Sequence, residues 1–530
     1  WSQPFYFDVT DYATVLKDSN KIRIHYSGYS GGFTANIRFA MIEGTPERDV
    51  KGVKTMWNAS YSYGNTADPI DDRVASQTLT APAGTASATY RMNITGHGSD
   101  ATGCSEFCQK YYKVIKDGNP IKETLIWRDN CGYNNLYPQN GTWIYDRGNW
   151  CPGDLVHTIF HPIPGVTDGS TFNLGLSFEP YTSSGGASYT VFGSVIYFGP
   201  MNKKLDASLE DIIAPTTNEN HYRANPSAGR TIIRVRNTGS TPIKNIDYEY
   251  GVTGQPLTKI NWSTNIPPLT DSIIELPNNA SLFAASGSNI PYEVNIIKVN
   301  GETDEDLSNN KAVTTFNAAP VWPSKINITL LTNKGVAASG FSQTEWVLLD
   351  DWENVVSKRV NNSPEKEYKD TLTLKDGIYK LIVTDAGCNG LNWWAASAEG
   401  GGSFAVRNGL FVISTPGYFG GDFGCGFTQE FRIGTPSVSI SERNAVNTVS
   451  LSVYPNPASD AVTVDIAGLA QVKGLLQITD NTGRVVATQQ VSESSVRMAT
   501  GRVAAGLYFV NFIPERADVA KTSCKLLIAQ

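Results

Sequence analysis

The chain has 530 residues, of which 18% are charged and 11% aromatic, and its formal net charge is −7. This length predicts about three to four domains. The acidic balance argues against a nucleic-acid partner, and no apolar run reaches the roughly 18 residues that a membrane helix requires. The many Gly, Pro and aromatic residues are typical of β-sandwiches, so the composition predicts an all-β, multidomain protein.

The first 200 residues are rich in aromatic residues and alternate with period two. The stretch KIRIHYSGYSGGFTANIRFAMI (21–42) is the clearest example, and it predicts strands in the N-terminal segment. The stretch DVTDYATVL (8–16) predicts a short helical turn with an Asp or Thr cap. Residues 1–45 supply three or four strands at most, too few for a sandwich, so we expect them to pack on the 49–200 domain or to pair with an upstream fragment.

Six of the seven cysteines form local groups. Local grouping in a long, acidic, β-rich chain favours disulfides in an oxidising, extracellular compartment. Zinc is the rival interpretation, but no CxxC and no histidine at ligand spacing accompanies these cysteines, so we expect no metal. Cys524 remains unpaired. The predicted bridges are Cys104–Cys108, Cys131–Cys151 and Cys388–Cys425.

The shortest of these bridges encloses a single carboxylate in GCSEFC (103–108). Closing so small a loop removes little chain entropy, on the order of 2 kcal/mol, so its main effect is geometric. By spacing alone, a clipped surface hairpin with a solvated Glu106 is favoured over a positioned functional carboxylate. Both interpretations stay open at this point.

The middle of the chain predicts two further β units. Residues 205–318 contain no cysteine and alternate like an immunoglobulin-like or CARDB-like sandwich of seven strands. Their last turn, TDEDLSNN (303–310), lacks the spacing of a calcium loop and predicts a solvated turn. Residues 322–436 form an accessory β-sandwich, in which NWW (392–394) indicates either an aromatic platform for sugar or a closed sandwich edge.

A Ser/Asn-rich linker leads into a last domain, 451–530, that carries SVYPNPASDAVTV, ITDNTGRVV, AAGLYFVNF and a terminal KLLIAQ. This order of motifs resembles the type A C-terminal sorting domain of the type IX secretion system. The resemblance implies a protein exported across the outer membrane by the type IX machinery, either secreted or attached to the cell surface.

The N-terminal block carries a second set of motifs, ITGHGSDATGCSEFC, YDRGNWCPG, FYFDVTDYATVL and IRFAMIEGTP. Together they resemble the peptide-N-glycosidase F family, amidases that remove N-glycans from asparagine and use no metal or cofactor. That family consists of two jelly rolls. The resemblance implies that residues 1–48 are the C-terminal part of a first jelly roll and 49–200 the second.

The resemblance also implies site residues. Glu106 matches an active-site glutamate that acts through a water, and Arg147 and Trp150 match an arginine and a tryptophan that line the glycan cleft. Ser27 stands where the family has a second glutamate, and Tyr29 where it has a tryptophan. The family's principal aspartate would lie upstream of Trp1, on an N-terminal segment of the same precursor.

Two functions follow from this pattern. Intact Glu106, Arg147 and Trp150 favour a secreted amidase that releases N-glycans from glycoproteins. Ser27 favours a catalytically silent glycan-binding or surface protein with the same fold. In either case the expected partner is an N-glycosylated protein or its glycan.

Overall fold

The computed structural model describes residues 3–25, 32, 34–98, 104–183, 185–409, 411–413, 420–434, 450–469, 472–480, 485–501, 503, 506–514 and 522–528. The protein is nearly all β, and the chain divides into two compact units, 1–436 and 437–530. The first unit contains three successive β-sandwiches and the second unit contains one. The all-β, multidomain class that the composition predicts is therefore confirmed.

The segment before the first strand does not form the strands that its alternation predicts. Its described residues hold one regular element, the 3₁₀ helix Thr10–Tyr12, in which the Thr10 N–H donates to Asp8 Oδ1 at 2.8 Å. The strand prediction for 21–42 was wrong over the described part, where side chains such as Met41 are exposed. Alternation needs a partner strand and a covering face to produce a sheet. That 1–48 completes a first jelly roll remains a prediction.

This N-terminal segment does lie on the next domain, as expected. Arg91 donates to Asp11 Oδ2 at 2.8 Å and to the carbonyl of Asp8 at 2.7 Å. Its guanidinium also lies over the Tyr12 ring, 5.1 Å from the centroid. Arg91 and Asp11 are both largely buried, so this ion pair holds the short helix against the sandwich.

Residues 48–201 form an eight-stranded jelly roll. Its two sheets have the strand orders β1-β8-β3-β6 and β2-β7-β4-β5, and buried tyrosines such as Tyr90, Tyr112 and Tyr189 fill the space between them. A short helix, α1, spans Ile70–Arg73. The strands are β1 (Arg48–Ser62), β2 (Gln77–Thr80), β3 (Ser87–His97), β4 (Lys110–Lys116), β5 (Asn119–Ile126), β6 (Ile159–Ile163), β7 (Thr171–Phe178) and β8 (Ser188–Met201).

Strand register brings two loops of the jelly roll together. Lys110 pairs with Ile126 between β4 and β5, and Met92 pairs with Ile159 between β3 and β6. The loop after β3 and the loop after β5 therefore leave the sandwich at the same end. These two loops carry the four N-terminal half-cystines.

Residues 207–316 form a second sandwich with seven strands, as many as the sequence pattern predicts. Its sheets are β13-β10-β9 and β12-β11-β14-β15. Asn279 caps the short helix α2 (Ala280–Ala284) through the N–H groups of Ser281 and Leu282. The strands are β9 (Ala207–Ala214), β10 (Thr231–Asn237), β11 (Ile243–Val252), β12 (Thr258–Ile266), β13 (Asp271–Leu276), β14 (Ile290–Val299) and β15 (Lys311–Phe316).

The acidic turn before β15 is not simply solvated, which corrects the sequence interpretation. Asp304 is 4% exposed and accepts the N–H of Ala207 at 2.9 Å. Burial, followed by a hydrogen bond with the buried Asp206, raises the pKa of Asp304 to about 7. Lys203 donates to Asp206 at 2.8 Å and to Asp306 at 2.6 Å. The ammonium group of Lys203 thus bridges the carboxylates of Asp206 and Asp306.

The raised pKa of Asp304 predicts a pH-dependent stability. The unfolded chain releases this proton near pH 4 and the folded chain near pH 7, so Asp304 makes the sandwich less stable as the pH rises from 4 to 7. We expect a loss on the order of 1–3 kcal/mol. Hydrogen-exchange protection of β9–β15, corrected for intrinsic rates, measures it. Asp304→Asn should flatten the dependence and exposed Asp271→Asn should not; equal slopes in all three proteins would contradict this assignment.

Residues 321–433 form the third sandwich, with sheets β16-β24-β21-β18-β19 and β20-β17-β22-β23. The loop between β21 and β22 contains Cys388, which forms the predicted disulfide with Cys425, and the 3₁₀ helix Trp394–Glu399. The strands are β16 (Val321–Trp322), β17 (Lys325–Leu331), β18 (Thr344–Asp350), β19 (Val355–Arg359), β20 (Glu367–Thr373), β21 (Gly377–Asp385), β22 (Ser403–Asn408), β23 (Phe411–Val412) and β24 (Gly426–Ile433).

The second unit is a small sandwich with sheets β25-β26-β29 and β28-β27-β30-β31 around a core that includes Val464, Leu476 and Phe512. Cys524 is free and half-buried, and burial raises the pKa of its thiol to about 11. The strands are β25 (Ser450–Tyr454), β26 (Ala461–Ala467), β27 (Gly474–Asp480), β28 (Val485–Val491), β29 (Ser495–Ala499), β30 (Gly506–Pro514) and β31 (Thr522–Ile528).

Candidate active site

The loop between β3 and β4 contains the short disulfide clip and Glu106. The Cys104–Cys108 bridge is present, as predicted. The Glu106 side chain is 17% exposed, and its Oε2 accepts the N–H of Gly98 at 3.2 Å. One carboxylate oxygen is therefore tied to the loop's own backbone, which leaves the other to meet a neighbouring element.

That neighbour is the long loop between β5 and β6, closed by the predicted Cys131–Cys151 bridge. Within it the backbones of Arg128 and Arg147 exchange two hydrogen bonds, of 2.9 and 3.1 Å. This isolated bridge fixes the position from which the Arg147 side chain extends.

The two loops touch through backbone that only glycine can provide. The Gly148 N–H donates to the carbonyl of Glu106 at 2.7 Å, and the Gly96 N–H donates to the carbonyl of Gly148 at 2.8 Å. A Cβ at Gly148 would lie 2.6 Å from the Ser105 carbonyl oxygen, closer than real Cβ contacts allow. Gly148, which follows Arg147 in the sequence, thus packs directly on the clip.

Arg147 completes the contact with its side chain. Its Nη1 donates to Glu106 Oε1 at 3.0 Å, its Nε donates to the carbonyl of Tyr145 at 3.1 Å, and its Nη2 donates to the carbonyl of Thr142. The side chain is only 4% exposed, and burial lowers the pKa of the guanidinium, with Glu106 acting in the opposite direction. The cation remains fully charged at neutral pH and is aimed at one carboxylate.

Trp150 lies against the same guanidinium, with 4.6 Å between Arg147 Cζ and the centroid of the indole ring. Its Nε1 donates to the Gly96 carbonyl at 2.8 Å, and the His97 ring lies 5.3 Å away. Burial lowers the pKa of His97, so its ring is neutral at pH 7. His97 lies in the motif ITGHGSDATGCSEFC, but nothing in the spacing of that motif distinguishes this residue.

The structure therefore brings Glu106, Arg147 and Trp150 together, although about forty residues separate the first from the others. The Glu106–Arg147 pair can position a water molecule at the carboxylate and stabilise negative charge at the guanidinium. Ser27 and Tyr29, the other predicted site residues, lie outside the described residues. The catalytic and binding roles of all five residues remain proposals.

Aromatic side chains that the sequence analysis did not assign also surround the site. Phe107 lies beside Arg147 at 5.2 Å, and the Tyr145 ring is 6.3 Å from Phe107. Tyr145 in turn contacts Trp393, from the NWW stretch of the third sandwich, at 5.4 Å. A long-range contact of this kind leaves no local signal in the sequence.

A cavity of about 370 Å³ lies at the junction of the three sandwiches, lined by residues such as Tyr133, Arg223 and Lys380. Lys380 donates to Glu353 at 2.7 Å, and Arg223 is engaged by backbone carbonyls. The cations of this cavity are therefore already occupied, which makes it a weaker candidate than the Glu106 site.

Neither a metal site nor a membrane helix is found within the described part of the chain. No three or more His, Cys, Asp or Glu side chains are grouped there in a way that could bind a metal ion. No described helix combines the length and apolar character needed to cross a membrane.

Comparison with protein families identifies two regions. Residues 65–182 match the model described as peptide-N-glycosidase F, C terminal, and residues 452–528 match the secretion system C-terminal sorting domain. Both resemblances that the sequence motifs carry are confirmed. The sorting domain assigns the protein to type IX export, either secreted or surface-attached. No curated protein matches the chain.

Among solved structures, the chain is similar to a peptide-N(4)-(N-acetyl-β-D-glucosaminyl) asparagine amidase, at 23% identity over 30% of this chain and 56% of that one, with a TM-score of 0.28. The chain is also similar to peptide-N-glycosidase F from Flavobacterium meningosepticum, at 23% identity over 30% of this chain and 56% of that one, with a TM-score of 0.26. PNGF-II gives 18% identity, 29% and 31% coverage and a TM-score of 0.23. The chain spans just over half the length of the first two.

Proposed function

We propose that this protein is a secreted amidase that hydrolyses the bond between an N-glycan and its asparagine in glycoproteins. The observation that carries the proposal is the 3.0 Å contact between Glu106 and Arg147, held by two disulfide-closed loops. Both residues lie inside the region that matches the peptide-N-glycosidase F family, residues 65–182. That match supports a glycan-related hydrolase, and the specific amidase activity is the proposal.

Hydrolysis of a glycosyl-asparagine amide requires three contributions. A water molecule must be positioned and deprotonated, the oxyanion that forms on the amide carbonyl must be stabilised, and the glycosylamine must leave. We assign water positioning to Glu106, whose carboxylate keeps a solvent-exposed surface beside its two hydrogen bonds. Arg147 would stabilise the oxyanion, since its guanidinium is buried and already oriented.

Trp150 would bind the first sugar. Its indole ring is fixed by the bond from Nε1 to the Gly96 carbonyl and by the Arg147 guanidinium. A rigid aromatic ring next to the reacting carboxylate limits the orientations of a bound sugar, and such positioning lowers the activation barrier.

The reaction also needs a principal base that takes the proton from water. We propose that an aspartate of the first jelly roll supplies this group, as in the family that the motifs resemble. The assay is therefore made with the full precursor as well as with the 530-residue chain, on a denatured N-glycoprotein.

The products distinguish the proposed reaction from other glycan hydrolysis. An amidase converts the asparagine to aspartate and releases the glycan with its reducing-end N-acetylglucosamine, whereas an endoglycosidase leaves one sugar on the asparagine. Mass spectrometry of the peptide product should show the aspartate. A peptide that retains one sugar would overturn the proposal.

The second candidate is a glycan-binding protein without activity, which Ser27 favours because the family has a carboxylate at that position. It would bind the same glycoproteins through Trp150 and release no glycan. Binding without release by the full precursor, on several glycan types, would select this candidate.

A further inference from the structure

A loop of the third sandwich reaches the candidate active site. Trp394 Nε1 donates to the carbonyl of Gly141, in the loop that carries Arg147, at 2.9 Å. Trp393 is 6% exposed and shares a small hydrophobic cluster with Trp143 and Ile144 of that loop. The stretch 392–394 is therefore part of the surroundings of Arg147 rather than an edge of its own sandwich.

The contact between these loops is rigid. The Gly132 carbonyl accepts the N–H of Cys425 at 3.0 Å, and a Cβ at Gly132 would lie 2.3 Å from the Cys425 Sγ. The third disulfide, Cys388–Cys425, thus lies directly against the residue next to Cys131 of the second disulfide. Two covalently closed loops are packed on each other, which holds the aromatic side chains between them in one arrangement.

These side chains form a continuous series that begins at Arg147, which we call the aromatic row: Phe107, Tyr145, Trp393 and Trp394. Successive ring centroids are 6.3, 5.4 and 5.9 Å apart. The first, second and fourth rings are 39%, 44% and 60% exposed, and the buried third ring supports its neighbours.

The aromatic row differs from aromatic side chains that only pack in a core, because most of its rings are exposed and also held in place. Tryptophans that only close a sandwich edge bury most of their surface, as Trp393 does. Trp394 leaves more than half of its surface in water while its Nε1 is held by Gly141. Exposed aromatic rings that are held in place and lie next to convergent polar groups are typical of ligand-binding surfaces.

We propose that the aromatic row binds the outer sugars of the substrate glycan, so that the third sandwich forms part of the substrate site. This inference rests on the proposed function, because it assumes that the asparagine-linked end of the glycan lies at Glu106. Pyranose rings present flat C–H faces that stack on aromatic rings and hydroxyls that hydrogen-bond at their edges. The ring spacing is comparable with the length of one sugar, and the first ring of the row, Phe107, lies 5.2 Å from Arg147.

The test measures binding in a Glu106→Gln background, in which the ligand is not consumed. The probes are an N-glycopeptide and the same peptide without its glycan, titrated by calorimetry. Trp394→Ala should weaken glycopeptide binding about tenfold, which corresponds to about 1.4 kcal/mol and lies within the range of one aromatic stacking contact. Trp394→Phe, which keeps a ring, should retain most of the affinity.

The matched control is Trp352→Ala, because Trp352 is 52% exposed on the β18–β19 turn of the same sandwich. It should leave binding unchanged, and thermal unfolding should show that all variants fold. Unchanged binding in Trp394→Ala would overturn the inference while leaving the amidase proposal intact. Equal weakening for the peptide without glycan would overturn it in favour of a polypeptide ligand.

Failure of the proposed function has a different signature. If the full precursor releases no glycan but Trp394→Ala still weakens glycopeptide binding, the amidase proposal fails and the aromatic row stands as a glycan-binding surface. Failure of the Glu106→Gln protein to bind the glycopeptide at all would overturn the inference.

Discussion

Replacing Glu106 by glutamine should reduce N-glycan release by the full precursor about 100-fold or more. A carboxylate that holds the attacking water in a reactive orientation contributes on the order of 100-fold, and a neutral amide orients water less strongly. Glutamine has the same shape, and its carbonyl oxygen can still accept the bond from Arg147. The fold should therefore remain intact, and the loss should appear in kcat more than in KM. Initial rates of aspartate formation in a denatured glycoprotein measure it.

The control for this prediction is Glu179→Gln in the same jelly roll. Glu179 also pairs with a cation, Lys110, at 2.7 Å, but it lies outside the Glu106 site. We expect an unchanged rate, because the hydrogen-bond partners of the Glu179 carboxylate, Lys110 and the N–H of Tyr111, are not residues of that site. Unchanged release by the Glu106 variant would remove Glu106 from the mechanism.

The part of this site that could be predicted is the part that local sequence encodes. Period-two alternation predicts the strands of β3 and β4, and local cysteine spacing predicts the bridges that close the two loops. The contact between Glu106 and Arg147 follows from motif resemblance and not from spacing. The register of β3 with β6 and of β4 with β5 explains it afterwards, because that register brings both loops to one end of the sandwich.

The features that the sequence did not predict have a common cause, because all of them depend on contacts between distant segments. Residues 21–42 alternate like strands, but their local pattern cannot say whether a partner sheet is present. The local sequence predicts a solvated turn at Asp304, but this carboxyl is buried and hydrogen-bonds with Asp206, about one hundred residues earlier. For Trp394 the sequence leaves a sugar platform and a sandwich edge both open, and Arg223 carries no signal at all. Only the packing of the three sandwiches shows what these two side chains contact.

Arg223 has a structural role that the sequence does not indicate. It lies in the 3₁₀ helix Glu219–Ala224 of the second sandwich, and its Nε donates to the Asn134 carbonyl at 2.6 Å. Its Nη2 donates to the carbonyls of Gly132 and Phe423 at 3.3 and 3.2 Å, and its Nη1 to that of Gly426. One guanidinium therefore joins all three sandwiches of the first unit.

The cation is also stacked on a ring of the loop that carries the candidate active site. The Arg223 Cζ lies 3.9 Å from the centroid of the Tyr137 ring. Tyr137 lies between the half-cystines Cys131 and Cys151 in the sequence. Arg223→Met keeps a long apolar side chain but leaves several carbonyls without this donor. Each buried group left unsatisfied costs about 1–3 kcal/mol, so we expect the first unit to lose about 2–4 kcal/mol of stability.

This loss has two measurable consequences. Calorimetry should show a lower unfolding temperature, and limited proteolysis should cut the 127–158 loop faster, because the loop is no longer held against the third sandwich. Glycan release and glycopeptide binding should fall together, since Arg147 and Trp394 both depend on that junction. Arg73→Met is the control: Arg73 pairs with Asp68 at 3.8 Å on an exposed surface, and such pairs contribute about 0–1 kcal/mol. Equal effects of the two substitutions would show that the Arg223 contacts do not hold the junction, and the rigidity that the aromatic row requires would then need another source.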